Sequence, residues 1–214
     1  MKTKYIFKVF SIFMILLTIA IGCAPWKMRA EHNVVKNGIP FEIFREYPRG
    51  LIVGTLKEDM VIDGWPCKRN EVSFFGNWQL HSLILSRDYE RNGIFMPEGT
   101  GVGLDLWGNL ERCGFTYDVE VQGHLCRGDR MHGFVTEFYQ TSGKLKAFSS
   151  MDPVVIDGVP CKDSLFQKIY LHENGRLWKC KLNEPVRIDG KEFPRNAILE
   201  FGPTGDVTKQ WSSK

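Results

Sequence analysis

Beyond residue 22 the chain has no basic run, no long apolar run and no stretch with a helical hydrophobic period. Each absence removes a class of protein. Of the 28 Lys and Arg, three (Lys2, Lys4, Lys8) fall in residues 1–22, which carry no acid, and the remaining 25 face 25 Asp and Glu. The bulk of the chain is therefore neutral, which argues against nucleic acid, a partner that needs a positive footprint. The longest apolar run, Val9 to Ile21, is thirteen residues. A bilayer takes about 20. No Pro- or Ser-rich linker interrupts Val34 to Lys209, so nothing in the composition divides that body into domains.

What is present begins with the leader. Met1 to Lys8 is short and basic, Val9 to Ile21 is apolar, and Gly22-Cys23 follows at once. This is the layout of a bacterial secretory signal. Ile19-Ala20-Ile21-Gly22-Cys23 resembles the lipobox of bacterial lipoproteins, with a small residue before the cysteine and Ala20 where Leu is more usual. The resemblance implies that Cys23 receives a diacylglycerol and then becomes the first residue of the mature protein. Each buried methylene of such chains contributes about 0.8 kcal/mol, and two chains anchor stably. It also implies, through Ala24, sorting to the outer membrane in a bacterium that has two membranes. Residues 1–22 are thus read as a signal helix and residues 23–33 as a lipidated tether, with 34–214 as the folded body.

That body repeats itself. Val61-Ile62-Asp63-Gly64-Trp65-Pro66-Cys67-Lys68 returns as Val155-Ile156-Asp157-Gly158-Val159-Pro160-Cys161-Lys162, with looser copies at Val119–Arg127 and Val186–Phe193. A marker glycine recurs at Gly38, Gly64, Gly93, Gly123, Gly158 and Gly190, at intervals of 26, 29, 30, 35 and 32 residues. A second marker, a glycine followed by Leu or Val, recurs at Gly50, Gly108, Gly143, Gly175 and Gly205, with Trp78 in the same slot of Asn77-Trp78-Gln79-Leu80. Asn-Gly and Asp-Gly favour tight hairpin turns. Between markers the pattern alternates: Val102, Leu104 and Leu106 on one face, and Trp178, Cys180 and Leu182 against Lys179 and Lys181. Period two bounded by turns is strand. The expectation is all-β: an elongated antiparallel meander of about six units, each a strand, a turn, a second strand and a tighter turn.

The strand-turn unit with Asn-Gly-x-Leu, clearest at Ile169–Leu177, resembles the bacterial variant of the membrane occupation and recognition nexus (MORN) repeat found in antitoxin-like proteins. The chain departs from that pattern in its longer period, in lacking Tyr-x-Gly at the start of each unit, and in its Asp-Gly-x-Pro-Cys marker. The resemblance implies a non-catalytic β-repeat scaffold that binds a protein or a membrane.

The residues whose types suit catalysis or metal binding are absorbed by the repeat. Asp63, Asp157 and Asp189 each precede a marker glycine, which is turn chemistry rather than a catalytic pair. His124, Cys126 and His132 match no zinc spacing. Gly99-Thr100-Gly101-Val102-Gly103 lacks the Gly-Lys-Ser/Thr ending of a phosphate loop and reads as a flexible or bulged strand edge. Cys67, Cys126 and Cys161 lie three residues after a marker glycine, and Cys113 and Cys180 three after a marker Leu. Equivalent positions in successive units lie about 9–10 Å apart, beyond the about 7 Å that a disulfide tolerates. Any bridge therefore joins different slots, with Cys113–Cys126 the best fit. Buried free thiols are the other reading, and both stay open.

The sequence thus predicts a lipid-anchored, non-enzymatic protein of the bacterial cell envelope, facing the periplasm, without cofactor or metal. Its partners are the membrane, through Cys23, and an envelope protein. Trp65, Trp78, Trp107 and Trp178, all beside unit markers, form the expected binding surface. The alternative is an immunity- or inhibitor-like lipoprotein that blocks one toxin or enzyme.

Overall fold

The computed structural model describes residues 30–48, 50–128, 136–164 and 167–211. The expected signal helix, the lipidation at Cys23, the tether up to residue 29 and His132 lie outside the described residues. The described chain is all-β, and its main sheet has fifteen strands, every neighbouring pair antiparallel.

The sheet is a meander. It runs from Glu31–Lys36, Ile39–Tyr47 and Leu51–Leu56 through successive pairs: Glu71–Phe74 with Leu80–Ile84, Gly101–Leu104 with Leu110–Gly114, Thr136–Phe138 with Leu145–Phe148, and Ile169–Leu171 with Leu177–Leu182. Ile198–Phe201 and Val207–Trp211 follow, and Val154–Ile156 with Val159–Lys162, joined to Leu177–Leu182, complete the fifteen. A small hairpin interrupts every second connection. The five are Met60–Ile62/Trp65–Cys67, Tyr89–Arg91/Ile94–Met96, Val119–Val121/His124–Cys126, Val154–Ile156/Val159–Lys162 and Val186–Ile188/Lys191–Phe193. Gly38 closes a tight turn between two strands of the meander, as the two-strand unit predicts, but the marker glycines from Gly64 on do not. They form the tips of these extra hairpins, and each repeat holds four strands.

The tips have the geometry their sequence demands. Asp157 and Gly158 sit at φ of 50° and 78°, and the same two left-handed positions recur at each marker pair. Two such residues in a two-residue loop match the right-handed twist of the flanking strands.

The second marker builds a different turn. Phe75 N donates to Gln79 O and Trp78 N to Phe75 O, each at 2.9 Å. The same pair of bonds closes Asp105–Asn109, His172–Arg176 and Gly202–Asp206, and 139–144 is one residue longer. The strand that follows carries a bulge. Phe74 faces Leu80 and Ser73 faces Ser82, which leaves His81 without a counterpart. Glu111, Lys146, Trp178 and Thr208 are skipped in the same way.

The bulge resets the pleat. Residues three apart normally point to opposite faces of a strand, yet Leu80 and Leu83, Leu145 and Phe148, and Leu177 and Cys180 are all buried. One extra residue between them brings both to the core side. This corrects the face expected for Trp178. It lies across the sheet from Cys180 and Leu182, and shares its side with Lys179. Leu106 also departs from the alternation: it is in a turn and exposed.

The five hairpins fold over the core side of the sheet as a second layer, contributing Trp65, Met96, Cys126, Cys161 and Phe193 to one continuous apolar cluster, and the fourth also joins the main sheet at its base, where Cys161 pairs with Leu182 and Lys162 with Lys181. The apolar surface expected of a single thin sheet is thus buried between two layers. Side chains at the hairpin tips lock the layers together. Asp157 Oδ2 accepts from Leu177 N at 2.8 Å. Gln122 accepts from Leu145 N at 2.9 Å and donates to Gly143 O at 3.0 Å. At the hairpin bases, Asp88 accepts from Glu98 N and Asp118 from Gly128 N, both at 2.8 Å, and Asp59 accepts from Arg69 N.

Candidate functional site

Opposite the hairpin layer the same strands present a second face, and its residues line up. Arg45 pairs with Val53, Val53 with Ser73, Ser73 with Ser82, Ser82 with Gly103, and Gly103 with Arg112. The row continues through Glu137, Ala147, Tyr170, Lys179 and Glu200 to Lys209. It crosses twelve strands without a break. The bulge residues His81, Glu111, Lys146 and Trp178 stand beside it. Sequence reasoning missed this surface, because the bulges hide it: only the doubled polar positions after each marker Leu hint at it.

Three segments differ in chemistry. In the first, the Ser82 and Ser73 hydroxyls lie 2.6 Å apart, and Ser73 Oγ lies 3.0 Å from His81 Nδ1. The His81 ring rests against Phe75 at 4.6 Å. Burial and the neighbouring Arg112 lower the His81 pKa, with Glu111 opposing them. Gly103 leaves room for Arg112 to lie across the strand; a Cβ there would meet Arg112 Cγ at 2.8 Å. The glycine-rich run ending at Gly103 therefore belongs to a central strand. The extra residue opposite Gly103 and Leu104 is Glu111 on the partner strand, so the glycine strand itself is not bulged and lies away from the sheet edge.

The second segment is a cavity of about 480 Å³ lined by Glu111, Arg112, Glu137, Tyr139, Gln140 and Lys146. Its acids are engaged. Lys168 Nζ donates to Glu137 at 2.8 Å, Lys146 lies 3.9 Å from the same carboxylate, and Gln140 donates to Glu111 at 3.3 Å. The third segment is aromatic. Trp178 meets Tyr170 edge-on at 5.7 Å and His172 at 5.9 Å, and the Lys179 ammonium lies 4.6 Å from the Trp211 ring centre. Glu200 pairs with Lys179 at 3.1 Å and Lys209 at 3.5 Å. Cavity size falls in the range of ligand sites, but the lining is polar where small-molecule pockets are mostly apolar.

The four tryptophans expected to form one surface are dispersed. Trp65 is 1% exposed and sits in the core with the Arg91 guanidinium 4.5 Å above its ring. It has no face to offer a partner. Trp78 is partly buried, stacked on Phe44 at 5.9 Å and tilted against Phe74 at 5.6 Å. Trp107 is 74% exposed, on a turn that the buried Asp105 carboxylate holds through bonds from Trp107 N and Asn109 N, both 2.8 Å. Only Trp178 joins the row.

Asp63, Asp157 and Asp189 occupy left-handed hairpin tips. His124 lies against Phe148 at 5.0 Å, with its pKa lowered by burial, and the Cys126 thiol donates to His124 O. Among the described residues no group of three His, Cys, Asp or Glu is placed to hold a metal. Cys67, Cys113, Cys126, Cys161 and Cys180 are buried free thiols. Burial pushes Cys67 and Cys126 up to about 12. Cys161 is also raised, through its hydrogen bond with Cys180 and burial.

Comparison with protein-family models, with curated proteins and with solved structures finds no match.

Proposed function

We propose that this protein is a lipid-anchored component of the bacterial cell envelope that acts without catalysis, holding a partner on the open face of its sheet. The observation that carries the reading is the unbroken row from Arg45 to Lys209, in which cations and anions alternate from Arg112 onward. A laterally registered polar surface offers many weak contacts rather than one reactive centre, and a few aromatic or Arg anchors contribute most. Tyr170, Trp178 and Arg112 are those anchors. The Ser73–His81 contact fits structural pairing better than nucleophilic catalysis: Ser73 is 7% exposed and its hydroxyl already meets two side chains. The leader with Cys23 supports anchorage in the outer membrane.

One feature favours the inhibitor-like alternative. Equivalent turns carry Gly76-Asn77, Glu173-Asn174 and Pro203-Thr204 at their tips, but Leu106-Trp107 stands exposed on a turn pinned by Asp105. A preordered apolar tip suits insertion into an enzyme cleft.

Alanine substitution separates these readings. With the protein carrying fatty-acid label at Cys23 in intact cells, Tyr170, Trp178 and Trp107 are replaced singly and together, and cross-linked partner is quantified. Graded losses from Tyr170→Ala and Trp178→Ala support the open face. Loss from Trp107→Ala alone supports the inhibitor. Complete loss from Ser73→Ala or His81→Ala, in a protein that melts normally, would reveal an active site instead.

A further inference from the structure

Along the open face, charged neighbours are paired with opposite charges: Arg112 with Glu137, Lys179 with Glu200, Glu200 with Lys209. One place breaks the rule. Lys162 and Lys181 are direct cross-strand partners. Like charges directly opposite destabilise a sheet. A third cation joins them from another segment. Asn196 N donates to Leu182 O at 3.1 Å and Leu182 N to Ala197 O at 2.8 Å, which draws Arg195 to the end of the strand that carries Lys181. Asn183 N donates to Pro160 O at 2.9 Å and fixes the Lys162 strand at the same junction. None of the three makes an ion pair among the described residues. Burial, then Arg195 and Lys181, lower the Lys162 pKa, as expected where positive charges crowd.

We infer that Lys162, Lys181 and Arg195 form a binding site for a phosphate group. Three cations from three chain segments match a dianion, and a phosphate monoester carries about −1.5 to −2 at neutral pH with three acceptor oxygens. A guanidinium grips such a group through two parallel bonds, and ammonium groups supply point charge. A single carboxylate would leave most of the repulsion uncompensated. The phosphate comes either from a free small molecule or from a lipid headgroup. The inference rests on the open face being a binding surface, since Lys181 shares its side of the strand with Lys179.

The test uses the full chain purified in detergent, its unfolding midpoint measured at pH 7 and constant ionic strength. Inorganic phosphate and sn-glycerol 3-phosphate are each exchanged for chloride. Bound ligand should raise the midpoint by about 3–5 °C at ten times Kd, and the rise should saturate. Phosphate also stabilises proteins by exclusion from their surface, but that rise does not depend on these residues. Lys181→Gln, Lys162→Gln and Arg195→Gln should each abolish the saturable part. In chloride alone, Lys181→Gln should match or exceed the wild-type midpoint, because it removes a like-charge pair. A larger saturable shift with glycerol phosphate identifies a headgroup, and an equal one a free phosphate. A wild-type shift that is linear, or that survives all three substitutions, overturns the site. A saturable shift that persists while Tyr170→Ala and Trp178→Ala leave partner capture intact keeps the phosphate site and removes the open-face reading.

Discussion

Trp78 shows what one residue can hold. It occupies a left-handed position, φ 66°, that equivalent turns fill with glycine. The strain of a side chain there costs about 1–2 kcal/mol, and stacking on Phe44 and Phe74 outweighs it. Trp78→Gly should therefore destabilise the protein by about 2–4 kcal/mol, the usual cost of losing a packed Trp less the relieved strain. Denaturant midpoints would measure it; an unchanged midpoint would mean that the ring contributes nothing. His81 sets a pH dependence. Its pKa is lowered from the ordinary 6.5, chiefly by burial, so the unfolded chain takes up the proton first. The stability of neutral His81 is complete above about 6.5 and is lost as pH falls through its depressed folded value. His124, lowered by burial, adds to the same trend. His81→Gln should flatten the fall in urea midpoint between about pH 6.5 and 5. An identical slope in the variant would assign the effect elsewhere.

At the scale of the element, the repeat works through its hairpin tips. Asp157 accepts from Leu177 N, a donor that the adjoining turn and bulge leave unpaired within the ladder, and lies 3.6 Å from Arg176. Asp157→Ala should cost about 1–3 kcal/mol, for a stranded buried donor and a less tolerant left-handed position. Asp157→Asn keeps the acceptor and the backbone preference, and should recover most of that in the same denaturation series. Equal losses from Ala and Asn would point to the Arg176 pair instead. Much of this element was legible. Asp-Gly and Asn-Gly locate turns, and the alternating segments between markers locate strands. The bulge was not legible, because an extra residue leaves no composition signal. Without it Trp178 falls on the wrong face and the polar row cannot be assembled. The second layer stayed hidden for a related reason: three-residue strands such as Trp65–Cys67 are too short to show an alternation of their own.

For the molecule as a whole, one cluster runs through the two layers, and the polar row spans the sheet opposite the hairpins. The thiols belong to the first of these. Spaced by the repeat, they fill small buried slots, and the raised pKa values of Cys67, Cys113, Cys126 and Cys161 make those four poor nucleophiles. The proposed binding function rests on the second face. The direct measurement is photo-cross-linking in intact cells from a reactive residue placed either at Trp178, on the open face, or at Val155, 73% exposed in the opposite hairpin layer. Adducts of defined mass from position 178, absent from position 155 and reduced by Tyr170→Ala, are the expected result. Adducts from position 155 alone, in a protein that is folded and still labelled at Cys23, would contradict the assignment of binding to the open face.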